Sequence, residues 1–269
     1  MAGYEIIALD LDGTLTNNEK IITPRTKNAL LEWQERGKKL VLASGRPTVG
    51  MMHLAEELSL SRYHNYVMAF NGAVIIDCGT DKVISESLMP VSANQRVWEI
   101  SKKKGVDLFT YEGTTLLTNN MKNPYAIREK EIDRLSIRQI DDMGAYLDFP
   151  VPKLVLTADG EILEPMEASV REVMGEDYNV YRSEPYYLEV LAHGIDKGSC
   201  LLKLLKLTGL KKEQAIACGD GYNDLTMIQC AGLGVAMDNA VPAVKEAADY
   251  ITLSNEEDGV AHVVEKFMR

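Results

Sequence analysis

Short apolar runs that stop abruptly at a polar residue recur at both ends of this chain. Residues 5–9 (EIIAL) stop at Asp10, 39–43 (KLVLA) at Ser44, and 66–70 (YVMAF) at Asn71-Gly72. Residues 214–218 (QAIAC) lead into Gly219-Asp220, and 234–237 end at Asp238. A run of four or five apolar residues bounded by turn formers reads as a strand covered on both faces. The intervening segments have helical spacing. Thr23 and Pro24 read as an N-cap and first helical position, Ala29, Leu30 and Trp33 share one face, and Gly37 is a C-terminal stop. Pro47 opens a helix carrying Leu54 and Leu58, residues 198–208 one carrying Leu201, Leu202, Leu204 and Leu205, and 222–231 a third. Strands alternating with helices predict an α/β fold with a doubly wound parallel sheet.

The middle follows another pattern. Residues 106–118 read as a hairpin turning at Glu112-Gly113, 153–159 as a strand, and 178–191 as a hairpin turning near Glu184-Pro185. Helical stretches fall near 92–104 and 124–133, and around 161–174 lies a further helix whose start Pro165 leaves open. With 269 residues the chain has room for two domains. The expected division is a discontinuous core of 1–85 and 191–269, with an α+β insertion at 86–190.

In an open parallel sheet, ligands bind in the crevice beyond the carboxyl ends of the strands. Asp10, Ser44, Asn71, Asp220 and Asp238 each follow a core strand and so are expected on one rim. Asp10-Leu11-Asp12-Gly13-Thr14 brings two carboxylates close together, which requires a cation or a proton between them. Gly219-Asp220-Gly221-Tyr222-Asn223-Asp224 adds two more carboxylates and an amide. Hard oxygen donors without His or Cys suit magnesium. Where a dinucleotide fingerprint needs its last glycine this segment has Asp224, and no GxxxxGK[ST] loop occurs. Lys197 stands just before the leucine-rich helix, and Arg46 within Ser44-Gly45-Arg46-Pro47.

Charge and cysteines narrow the partners. Against 29 basic residues stand 40 acidic ones, a formal charge of -11, which disfavours nucleic acid but not a small phosphate ester. Cys78, Cys200, Cys218 and Cys230 form neither a CxxC pair nor a zinc spacing and read as buried free thiols. No basic-then-apolar leader opens the chain and no apolar run nears the roughly 20 residues that span a bilayer. A cytoplasmic enzyme with no membrane association and no obligatory protein partner is expected.

Taken in order, Asp-Leu-Asp-Gly-Thr-Leu at 10–15, Ala-Ser-Gly-Arg-Pro at 43–47, Asp-Lys-Gly at 196–198 and Gly-Asp-Gly-Tyr-Asn-Asp at 219–224 resemble the four motifs of the haloacid dehalogenase superfamily. Phe70-Asn71-Gly72-Ala73 and Gly234–Asn239 resemble its Cof-type branch, which includes bacterial sugar phosphatases with a large inserted cap. The resemblance implies a Rossmann-like core and a magnesium-dependent phosphatase acting on a small phosphorylated metabolite. Asp10 would be the nucleophile, forming an aspartyl phosphate, and Asp12 the acid and then the base. Magnesium would be held by the Asp10 carboxylate, the Asp12 backbone carbonyl and Asp220, with Asp224 contributing directly or through water. Ser44 and Lys197 would bind the phosphoryl group, with Arg46, Asn71 and Asn223 as further phosphate or substrate contacts.

The insertion would act as a cap, with Arg182, Ser183, Tyr186, Glu189 and His193 as candidate substrate readers. A phosphomutase or other phosphotransferase, and a non-catalytic metal- or phosphate-binding regulator, remain open on the same core. A dehalogenase leaves Asp12 without a leaving group to protonate, and a nicotinamide enzyme lacks its glycine fingerprint.

Overall fold

The strand β1 (Ile6–Leu9) is four apolar residues, every one buried, and the sheet grows outward from it in both directions. The computed structural model describes residues 3–268. Along the first segment follow α1 (Pro24–Glu35), β2 (Lys39–Ala43), α2 (Thr48–Glu57), β3 (Tyr66–Ala69), β4 (Val74–Asp77) and β5 (Lys82–Glu86). The middle segment carries α3 (Val91–Lys104), β6 (Asp107–Glu112), β7 (Thr115–Thr118), α4 (Pro124–Ile132), β8 (Ser136–Gln139), α5 (Met143–Tyr146) and β9 (Leu154–Thr157). It continues through α6 (Gly160–Leu163), α7 (Met166–Met174), β10 (Tyr178–Glu184) and β11 (Tyr187–Ala192). The last segment holds α8 (Lys197–Thr208), β12 (Ala215–Gly219), α9 (Leu225–Cys230), β13 (Leu233–Ala236), α10 (Pro242–Ala247), β14 (Tyr250–Ile251) and α11 (Gly259–Phe267).

The chain forms two compact units, 1–86 with 196–269, and 87–195. In the first, the sheet order among the described residues is β14-β13-β12-β1-β2-β3-β4-β5. Strands β14 through β3 are parallel, and β4 and β5 add an antiparallel edge. After β1 the chain builds outward through β2 and β3, and after the insertion it returns on the other side through β12 and β13. The order therefore reverses between β1 and β12, which opens a crevice at their carboxyl ends.

The helices form where the sequence marks them. Thr23 caps α1, its hydroxyl accepting from the Thr26 N–H at 3.2 Å, and Pro24 takes the first turn, where it has no N–H to lose. Trp33 lies fully buried on the inner face of α1 and donates its indole N–H to the Lys39 carbonyl at 2.9 Å, which ties helix to strand. Asp196 caps α8 by accepting from the Ser199 N–H at 2.9 Å, so Lys197 becomes its first residue.

The second unit is a sheet in the order β10-β11-β9-β6-β7-β8, antiparallel except for β7 with β8. Leu108, Leu117, Leu154, Leu156, Leu188 and Val190 alternate onto one face and form a single core with side chains of α3, α5 and α7.

Several expectations shift. The segment after Asn71-Gly72, for which the sequence predicts no element, contains the β4–β5 hairpin, and β8, α10, β14 and α11 are likewise additional to the predicted elements. The expected helix over 222–231 is a 3₁₀ turn at Tyr222–Asp224 followed by α9. The insertion ends near 195 rather than 190, because β11 runs unbroken to Ala192. All four cysteines are free thiols, but Cys230 is only half-buried. No helix among the described residues is long and apolar enough to cross a membrane.

Trp33→Ala removes a fully buried ring together with the bond that joins α1 to β2. It should cost about 3–5 kcal/mol in urea unfolding. A loss below about 1 kcal/mol would mean that α1 is held elsewhere.

Candidate active site

Three carboxylates and one ammonium meet at the reversal between β1 and β12. Asp10 follows β1 directly, its N–H donating to the Cys218 carbonyl at 3.0 Å, so the sheet ladder itself fixes its position. Lys197 enters from the first turn of α8 with its side chain 0% exposed. Its Nζ donates to Asp10 Oδ1 at 2.5 Å and to Asp224 Oδ1 at 2.6 Å. Asp224 uses its other oxygen, Oδ2, to accept the N–H groups of Asp220 at 3.0 Å and Gly221 at 2.9 Å. It thus shapes the loop that carries Asp220. Asp220 accepts at Oδ1 from the Thr14 hydroxyl at 2.7 Å.

Two glycines make this approach possible. Gly13 has φ +84°, and a Cβ there would lie 2.4 Å from Asp220 Oδ2. A Cβ at Gly219 would lie 2.4 Å from the Asp224 Cβ. Any side chain at either position would push the carboxylates out of place.

The group Asp10, Asp220 and Asp224 offers carboxylate oxygens all within 4.8 Å of one another. Burial pushes the Asp10 carboxyl up to about 8; Lys197 pulls against that shift, while Asp224 and Asp220 add to it. Burial also raises Asp220 to about 6, against the Thr14 hydrogen bond. Lys197 is held above the ordinary lysine value, since the charges of Asp10 and Asp224 outweigh its burial, and it stays an ammonium.

Asp12 stands apart from this group. Its carboxylate takes a two-bond grip from Arg46, Nε to Oδ2 at 2.7 Å and Nη2 to Oδ1 at 2.6 Å, and a third bond from Lys20 Nζ at 2.7 Å. Burial works against ionisation there, but Arg46 and Lys20 hold the carboxyl below the usual range. Ser44 is buried just past β2, and its Oγ accepts from the Arg46 N–H at 3.2 Å. Phe70 and Asn71 adopt left-handed backbone at φ 53° and 57°, a conformation costing roughly 1–2 kcal/mol for such residues. Their N–H groups bond the Arg46 carbonyl at 2.9 Å and the Ser44 carbonyl at 2.8 Å, which stitches the loops after β2 and β3 together. Asn223 Nδ2 donates to Asn71 Oδ1 at 3.4 Å.

Asp10, Lys197, Asp220 and Asp224 are thus brought together, and Ser44, Asn71 and Asn223 line the adjoining strand ends. Arg46, expected at a phosphate, is engaged on Asp12. Asp238, expected on the same rim, is 63% exposed at its side chain and pairs with Lys245 at 3.3 Å. It follows its strand only as loops commonly begin with polar residues.

The expected substrate readers of the insertion also find partners within their own unit. Glu189 is buried and paired with Lys153 at 3.0 Å, and Ser183 donates to it at 2.8 Å. Arg182 bonds Glu167 at 3.1 Å, and Tyr186 stacks on Tyr125 with centroids 4.6 Å apart. His193 is exposed. Lys20 and Thr14 were missed; Thr14 lay inside a quoted motif, whereas no local signal marked Lys20.

The family model for haloacid dehalogenase-like hydrolase matches residues 7–264. The crystal structure of a haloacid dehalogenase-like hydrolase from Bacteroides thetaiotaomicron is 42% identical, has a TM-score of 0.93 and covers 98% of this chain and 99% of its own. TM0651 from Thermotoga maritima is 29% identical with a TM-score of 0.86, over 98% of this chain and 97% of its own. The 5-amino-6-(5-phospho-D-ribitylamino)uracil phosphatase YcsE of Bacillus subtilis (strain 168) is 31% identical over 260 residues, 97% of this chain and 94% of the relative.

Lys197→Met leaves the three carboxylates without their buried cation. At about pH 8 this should cost about 3–5 kcal/mol in urea unfolding. A carboxyl whose folded pKa exceeds its unfolded value loses stability as pH rises between the two, and Asp10 and Asp220 are both raised. The cost should therefore shrink at about pH 5, where those carboxyls bind protons. A cost that does not vary with pH would contradict the arrangement.

Proposed function

The chain belongs to the haloacid dehalogenase-like hydrolases and is a phosphatase of that family, and from that premise we propose that it hydrolyses small phosphorylated metabolites, sugar phosphates among them, with magnesium and through an aspartyl phosphate on Asp10. The observation that carries this reading is the charge at the switch point. Three clustered carboxylates face one buried ammonium, which leaves two negative charges to be offset. That balance, with only oxygen donors, fits a divalent hard cation.

Magnesium would be held by the carboxylates of Asp10 and Asp220 and the backbone carbonyl of Asp12. Asp224, with Oδ1 bonded to Lys197 and Oδ2 to two backbone N–H groups, supports the site. When bound, the ion offsets the repulsion between carboxylate and phosphate and stabilises the transition state. The rest falls to the chain's own residues.

Asp10 attacks phosphorus in line, and the bond from phosphorus to the leaving oxygen breaks. Asp12 gives that oxygen a proton. Water then attacks the aspartyl phosphate while Asp12 takes its proton, the bond from Asp10 to phosphorus breaks, and inorganic phosphate leaves. Lys197 holds Asp10 in place, and Ser44 retains its own O–H for a phosphoryl oxygen. Asn71 and Asn223 are the further candidates for substrate contact. The inserted unit selects the substrate. The ribityl phosphate named for the Bacillus subtilis relative supports an alcohol leaving group on a polyol chain.

Phosphate release from a panel of sugar phosphates should stop on chelation and return with magnesium. Asp10→Asn should lose activity by more than about 100-fold while keeping the wild-type circular dichroism spectrum, because an amide is a poor nucleophile; its unfolding midpoint should fall, since Lys197 loses a buried charge partner. Turnover that survives thorough chelation, or an active Asp10→Asn, would refute the reading.

A further inference from the structure

Asp12 is gripped by two cations that differ in how firmly they are placed. The Arg46 side chain is 12% exposed, and its backbone is bonded on both sides, to Ser44 Oγ and to the Phe70 N–H. Lys20 is 57% exposed and sits in a loop at φ 63°. Arg46 makes the parallel two-bond contact that fixes the plane of a carboxylate, which a point charge such as Lys20 cannot do.

The two oxygens of Asp12 are used unequally. A carboxylate offers about four lone-pair positions, two on each oxygen. Both on Oδ1 are taken, by Arg46 Nη2 and by Lys20 Nζ. On Oδ2, Arg46 Nε takes one. The second position on Oδ2 is therefore the one through which a proton can pass while the grip stays closed.

We propose that Arg46 is a positioning residue that orients Asp12 so that proton transfer runs through Oδ2, with Oδ1 serving as the anchor. This rests on the phosphatase reading of Asp12. In the first step the proton leaves Oδ2 for the leaving oxygen as the bond from that oxygen to phosphorus breaks. In the second, Oδ2 accepts a proton from water as the water oxygen bonds phosphorus and the bond to Asp10 breaks. Arg46 keeps both of its bonds in each step. Its guanidinium acts on catalysis through Asp12 rather than through substrate affinity.

Steady-state kinetics of Arg46→Ala and Arg46→Lys on nitrophenyl phosphate and phenyl phosphate, with magnesium, test this. Loss of alignment should lower kcat by about tenfold to 100-fold while KM stays within about threefold. In kcat/KM, which reports the first phosphoryl transfer, the loss should be larger on phenyl phosphate, whose leaving group depends more on the proton. Arg46→Lys should stay impaired, because an ammonium cannot supply two parallel bonds. Guanidinium ion added to Arg46→Ala should restore part of kcat.

If Arg46→Ala does not fold, the split between kcat and KM in Arg46→Lys decides. A KM raised tenfold or more with kcat intact would overturn the proposal and make Arg46 a substrate ligand, leaving the phosphatase reading standing. Equal losses of kcat/KM on both esters without guanidinium rescue would also overturn it. Failure of the reading beneath it appears separately, as wild-type enzyme without magnesium-dependent hydrolysis or an active Asp10→Asn control, and would take this proposal with it.

Discussion

An ammonium moved out of water is costly unless charge partners replace its hydration. Lys197 is fully buried, and its partners come from two other places in the chain, Asp10 at the end of β1 and Asp224 in the turn after β12. The first of these contacts joins residues 187 apart, across the whole insertion. Burying this one cation therefore fixes the first turn of α8 against the two central strands of the sheet. The Asp224 carboxylate shapes the loop of Asp220, and Gly13 and Gly219 leave the space that lets these groups approach. One positive charge does not balance three carboxylates; burial first, and the neighbouring carboxylates after it, raise the Asp10 and Asp220 carboxyls. A site that folds around an excess of negative charge is prepared for a divalent cation. Asp12, with two cations of its own, has the opposite local balance.

The core was legible because parallel strands covered on both faces must be apolar throughout, and the polar residue that ends each run marks the rim. β1, β2 and β3 begin and end within a residue or so of the expected runs. The hairpin of β4 and β5 was missed because its outer strand is largely exposed, KVISE, and carries little apolar signal. β8, with SIRQ at the edge of the second sheet, was missed for the same reason. The single helix expected around 161–174 is instead two, α6 and α7, on either side of Pro165, which lacks an N–H. In the site, the motif residues could be read because four ordered stretches resemble those of a known family, whereas a single glycine or aspartate after a strand is common in turns. Lys20 could not, since its pairing with Asp12, eight positions away, depends on how the loop between β1 and α1 folds back. Nor could the outward pairing of Asp238, which does follow β13 but takes Lys245, because a strand end fixes where a residue starts and not which neighbour its side chain takes.

The insertion shows how alternation along a strand can mislead about function. Glu189 looked like an exposed hairpin carboxylate, yet neighbouring Leu188 and Val190 point to the apolar core and send Glu189 to the opposite face. There it is buried with Lys153, whose ammonium also lies 5.6 Å from the Tyr111 ring centroid. Tyr111 in turn donates its hydroxyl to Glu129 at 2.6 Å. A buried pair with such partners is costly to break, so substitutions at Glu189 would report on the folding of this unit before they reported on substrate choice.

The central claim is that phosphorus passes through Asp10 and that Asp12 handles the protons on both sides of that step. Asp12→Asn should still accept the phosphoryl group from nitrophenyl phosphate, whose leaving group needs little help, but should release it slowly because water has lost its base. Acid quenching with radiolabelled substrate and peptide mapping should then find close to one phosphoryl group per chain, formed only with magnesium and carried on the peptide that contains Asp10. Label on any other residue, or slow turnover of Asp12→Asn with no trapped phosphoenzyme, would contradict the account.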